Sequence, residues 1–185
     1  KLGSRAAVGT LMYAVAADPS PEVRSLAAEA LSRLRAVEAE AILTTSARQD
    51  RSPAVRAQAV RALAEIAPGS SLPLFRDLWK EADDPELRFG AYLGLLRTAE
   101  RARWIEEGLQ DADVSIRFSA LRAWTSLPAK TPPGTRLSRT STDVVRLERL
   151  LKDPARGIRE FSRQTLENLG YKVRPDGFAY SIDDR

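Results

Sequence analysis

At 185 residues, with 43% hydrophobic and 29% charged side chains, the chain has the composition of a folded globular protein and not of a disordered one. It contains no Cys and no His, which excludes disulfides, thiolate zinc sites and every His-activated nucleophile, leaving carboxylates, Lys, Tyr and Arg for any chemistry. A net charge of +4 against 29 basic and 25 acidic residues is weak evidence for a nucleic-acid partner.

The chain opens at Lys1 without a Met, and Lys1, Leu2, Gly3 and Ser4 read as the tail of an earlier repeat, so more array is expected ahead of them. No apolar run approaches the roughly 20 residues of a membrane span, and no charged-then-apolar signal segment starts the chain. The compartment is not fixed by these residues. Cytoplasm is the default expectation, and a cleaved signal peptide is compatible with the start at Lys1.

From there the sequence repeats itself. Asp18 to Arg24 reads DPSPEVR, Asp50 to Arg56 DRSPAVR, Ala82 to Arg88 ADDPELR, Asp111 to Arg117 DADVSIR and Asp153 to Arg159 DPARGIR. Each places an aliphatic residue directly before an arginine, and the arginine intervals are 32, 32, 29 and 42. In the third segment the acid is read as slipped to Asp83 or Asp84. The third residue after each arginine is Ala27, Ala59, Ala91, Ala120 and Ser162, and the seventh is Leu31, Leu63, Leu95, Trp124 and Leu166. Such spacing marks one face of an α-helix, with small residues allowing close helix approach. Pro21, Pro53 and Pro85 sit at helix starts, where a missing N–H costs nothing. A second apolar-periodic segment precedes each of these helices, at about 5–17, 37–48, 70–81, 99–109 and 142–152.

These motifs resemble the short HEAT-like repeats of phycobilin lyase subunits and bacterial scaffold proteins, a resemblance that covers about residues 1–169. It implies an all-α fold: a right-handed α-α superhelix, or solenoid, of five HEAT-like hairpins. The repeats are placed at about 4–35, 36–67, 69–98, 99–127 and 141–169, with an insertion at 128–142. It also implies that Asp18, Arg24, Asp50, Arg56, Arg88, Asp111, Arg117, Asp153 and Arg159 form a ladder between neighbouring turns. The competing reading, a functional charged stripe, is set aside in favour of stability.

Function is then sought where equivalent exposed positions diverge. In the resemblance the second helices line the concave surface, so the first, fifth and eighth positions after each arginine face the groove. They give Phe89, Leu93 and Leu96 in repeat three and Phe118 in repeat four, flanked by Tyr92 and Leu121 and bordered by Arg61, Arg122 and Arg163. The expectation is a mid-groove apolar site for a peptide or protein partner. Its alternative is that repeat three rotates and buries these residues.

Between Pro128 and Thr142 the chain is rich in Pro, Thr and Ser, and carries Lys130, Arg136 and Arg139. Recognition loop and tolerated insertion are both open readings. After Gly170, a predicted helix C-cap, residues 170–185 alternate in the manner of a short β-hairpin that caps the last repeat or docks onto another subunit. The functional expectation is a non-catalytic protein–protein interaction scaffold with no cofactor and no metal. The alternatives are a nucleic-acid-binding HEAT-like protein and a non-catalytic subunit of a lyase-like complex. Oligomeric state is open.

Overall fold

The computed structural model describes residues 2–126, 142–174 and 179–181, with side chains left aside for 2–6 and 179–181. Leu127, the insertion through Ser141, residues 175–177, Phe178 and Ile182 therefore lie outside the described residues, as does the Tyr180 side chain. Among the described residues there are ten α-helices. These are α1 (Leu2–Ala17), α2 (Pro21–Arg33), α3 (Glu40–Gln49), α4 (Pro53–Ile66), α5 (Leu72–Glu81), α6 (Pro85–Leu95), α7 (Arg101–Gly108), α8 (Val114–Thr125), α9 (Thr142–Leu150) and α10 (Arg156–Asn168). A 3-10 turn over Val37–Ala39 leads into α3.

Local chemistry sets the helix starts. The Ser20 hydroxyl accepts the Val23 N–H at 3.2 Å, and Pro21 fills the first helical position. At the equivalent place Asp84 accepts the N–H groups of Glu86 and Leu87 at 2.9 and 3.2 Å, and Asp113 accepts that of Ser115 at 2.7 Å. Asp84 is thus an N-cap standing where Ser20 and Asp113 stand, not a displaced ladder acid. The ladder position of the third repeat is occupied by Ala82.

The chain divides into two compact units, Lys1–Glu106 and Glu107–Arg185. In the first, α2 packs on α4 and α4 on α6, while α1, α3 and α5 each pack against the second helix of their own hairpin. The result is two layers sharing one core. Ala27, Ala59 and Ala91 are buried, as are Leu31, Leu63 and Leu95. Close approach is tightest in the third hairpin. A Cβ built on Gly94 would meet the Phe75 ring at 2.6 Å, and one on Gly90 would meet Val60 at 3.3 Å.

In the second unit, α8 and α9 pack on α10. Gly170 ends α10 at φ 86°, the left-handed conformation that favours glycine. Beyond it β1 (Tyr171–Val173) pairs antiparallel with β2 (Ala179–Ser181), matching Lys172 with Tyr180. The hairpin lies against α10, with Tyr171 buried and the Arg163 guanidinium donating to the Val173 carbonyl at 3.3 Å.

Candidate partner-binding face

Arg24 with Asp50 and Arg117 with Asp153 form rungs of the ladder. Arg24 donates through Nε and Nη2 to both carboxylate oxygens of Asp50, each at 2.8 Å. Its Nη1 donates to the carbonyls of Asp18 and Pro19. Arg117 repeats the arrangement, with Nε and Nη2 on Asp153 at 2.8 and 3.0 Å and Nη1 on the carbonyls of Asp111 and Ala112. Each acid also accepts the N–H two residues on, Ser52 for Asp50 and Ala155 for Asp153. Hydrogen bonds from Arg24 hold the Asp50 carboxyl below its ordinary value, outweighing burial. For Asp153 burial is the largest influence and pushes upward. The Arg117 hydrogen bonds, the Ala155 N–H and the charges of Arg117 and Arg159 together overcome it, so the net direction is down.

Further ladder arginines make local contacts. Arg56 has no acid across from it in the third repeat and donates only to the Asp50 carbonyl, at 2.9 Å. The Arg88 guanidinium lies 4.0 Å above the Trp79 ring. Arg159 donates to the carbonyls of Asp153 and Pro154. A surface depression of about 460 Å³ opens beside the Arg24–Asp50 rung, but these two groups already satisfy each other there.

The predicted apolar patch is corrected by burial. Tyr92 and Leu121 are 0% exposed and Leu96 is 8% exposed, so none of the three is presented to a partner. The physical reason is repeat geometry. The fourth position after each arginine, held by Ala28, Val60, Tyr92 and Leu121, is buried in the core in these four repeats. Tyr92 stacks on Trp79 at 5.1 Å and donates its hydroxyl to the Trp104 carbonyl at 3.1 Å. Phe118 is half-buried in an edge-to-face contact with Phe161, ring centroids 5.6 Å apart, and so belongs to the α8–α10 junction. Phe89 and Leu93 are half-buried, and Arg122 is exposed on α8.

Of the predicted residues, Arg61 and Leu93 do come together. They line an open cleft of about 170 Å³ on the second-helix layer of the first unit, with Ser32, Glu65 and Arg97. Arg61 donates to Gln58 at 3.1 Å and pairs with Glu86 at 3.4 Å. Arg97 spans to Glu65 with two contacts, 2.5 and 2.8 Å. Both cations are matched by carboxylates, so the cleft offers mixed polarity around an apolar side chain and not a bare phosphate site. Glu65 and Arg97 were missed because only the first, fifth and eighth positions were read. The ninth holds opposite charges one repeat apart, and that was the available signal.

A family model for HEAT repeats matches residues 40–125. No curated protein matches the chain in sequence. Among solved structures, the chain is similar to one in the complex of CpcE and CpcF of phycocyanin lyase from Nostoc sp. PCC7120. The two share 26% identity at a TM-score of 0.57, over 86% of this chain and 98% of that one. Among the described residues no helix is long and apolar enough to cross a membrane. The recurring hairpins, their acid–arginine rungs and these likenesses agree: the chain is a HEAT-like helical-repeat protein.

Proposed function

We propose that the chain is a non-catalytic scaffold that binds a segment of a partner protein in the Arg61–Leu93–Arg97 cleft, as a subunit of a lyase-like complex. The observation that carries the reading is the cleft itself. It gathers, on one layer, the positions at which the repeats differ: small Ser32 from α2, Arg61 and Glu65 from α4, Leu93 from α6 and Arg97 just after it. An apolar side chain rimmed by paired charges suits a peptide with one hydrophobic anchor and polar neighbours. A similar solved chain comes from a complex of two proteins, which supports a protein partner here. Phe89, half-buried at the first position of the same helix, extends the apolar surface toward the start of α6.

The test is quantitative co-purification of the intact chain against an Arg61→Glu, Leu93→Asp double variant. Partner yield is expected to fall about tenfold or more while the melting temperature moves by no more than about 2 °C. Undiminished partner yield would remove the cleft from the account. Retention on DNA that falls steeply with salt would favour the nucleic-acid reading instead.

A further inference from the structure

The charges that line the cleft on the second-helix layer do not cancel. Two arginines and one glutamate line it, so one positive charge remains. Glu65 is closed off, because Arg97 holds both of its carboxylate oxygens, at 2.5 and 2.8 Å. Arg61 is held loosely. Its Nη1 reaches Glu86 at 3.4 Å, and Glu86 is not part of the lining: it stands in the first turn of α6 with its side chain 75% exposed.

The neutral polar groups of the lining favour the same kind of occupant. Gln58 accepts from Arg61 Nε through its Oε1 at 3.1 Å, which leaves the amide nitrogen as a donor. Among the described residues, neither that nitrogen, nor the Ser32 hydroxyl, nor Arg61 Nη2 makes a hydrogen bond. The lining therefore offers donors from α2 and α4 beside the half-buried Leu93 of α6. An occupant that satisfies them must bring acceptors and a negative charge.

Resting on the reading of the cleft as a partner site, we infer that the seated segment presents an aspartate or glutamate side chain beside an apolar anchor, and that its carboxylate takes Arg61 over from Glu86. Displacing Glu86 costs little, since an exposed pair at this distance is weak and the released carboxylate is rehydrated. A basic segment finds no such place, because the one carboxylate of the lining is already forked to Arg97. A phosphoryl group brings more charge than the single positive charge available. The cleft is open, so the partner chain runs on past it and the acid is a side chain, not a chain terminus. The chain's own insertion between Pro128 and Thr142 contains no Asp or Glu. Its tail does join Ile182 to Asp183 and Asp184, and the experiment separates that occupant from a partner.

Binders to the intact chain are selected from a random twelve-residue peptide library, and those that Leu93→Asp abolishes are kept. The expected motif is Asp or Glu next to an aliphatic or aromatic residue. Changing that acid to its amide should weaken binding about tenfold to the wild-type chain and less than about twofold to Arg61→Gln. Glu86→Gln, which frees Arg61, should strengthen the acidic peptides about twofold. Both variants are expected to melt within about 2 °C of wild type. Cleft-dependent peptides without the acid, or an acid effect that persists in Arg61→Gln, would overturn the inference and leave the cleft reading standing. Peptides indifferent to Leu93→Asp, or no peptides at all, would remove both. An affinity for the acidic peptides that rises about fivefold when Asp183 and Asp184 are both changed to Asn would assign the cleft to the tail and overturn the partner's acid.

Discussion

Two neighbouring junctions in the first unit are built from the same repeat and close by different means. Between α2 and α4 the arginine fork of Arg24 clasps Asp50, with both side chains under one-tenth exposed. Between α4 and α6 the matching acid is Ala82, Arg56 keeps only its local carbonyl bond, and no rung forms. Apolar contact takes over there. Gly90 lets α6 lie close against Val60 and Ala57 of α4. The lesson is that a polar rung and close apolar helix packing are interchangeable ways to hold one hairpin on the next. A buried ion pair roughly breaks even against good packing, because desolvation offsets the attraction.

The apolar packing around α6 is tested most forcefully at Tyr92. Tyr92→Ala removes a fully buried ring and its hydrogen bond, and is expected to cost about 3–5 kcal/mol in urea unfolding. A cost below about 1 kcal/mol, with partner binding lost, would return Tyr92 to the partner-binding set. Asp153→Ala leaves the half-buried Arg117 guanidinium unpaired and should cost about 3 kcal/mol. Arg56→Ala, at the junction without a rung, should cost only about 1 kcal/mol, one hydrogen bond's worth. Equal costs at these two sites would erase the distinction between the junctions.

Smaller effects sharpen it. Gly94→Ala gains helix propensity but drives a Cβ to 2.6 Å from a buried ring carbon of Phe75, so a net loss of about 1–3 kcal/mol is expected in the same assay. The rungs also predict an acid response of known sign. Asp50 and Asp153 are held below the ordinary 3.8, so their contribution is complete above that pH and fades as pH falls below it through the lowered folded-state value. Asp50→Asn keeps the acceptor for Ser52 and loses the charge. Its melting temperature should lie below that of the wild-type chain at neutral pH and converge on it below pH 3.8. A gap that widens in acid would contradict the assignment.

The helices and their register were legible from sequence because period, proline and cap residues all point the same way. Helix α4, for instance, begins at Pro53 as read, and Ala59 and Leu63 face the core. What misled was treating Asp84 as a wandering ladder acid, when its place before Pro85 and its two N–H partners make it a cap. The apolar patch misled for a related reason. A helical wheel gives one buried face, whereas a helix within a stack is buried over a wider arc, and Tyr92, Leu96 and Leu121 fall within it. The charged Glu65–Arg97 contact was invisible to single-helix reasoning, since it joins positions one repeat apart.

The claim beneath these arguments is that the acid–arginine pairs hold hairpins together and bind nothing else. A double-mutant cycle on Arg117 and Asp153, read by urea unfolding with partner co-purification measured alongside, tests it most directly. The account expects a coupling of at least about 1 kcal/mol and a partner yield that changes only as far as the folded fraction does. Zero coupling, or partner lost from variants of unchanged stability, would contradict it.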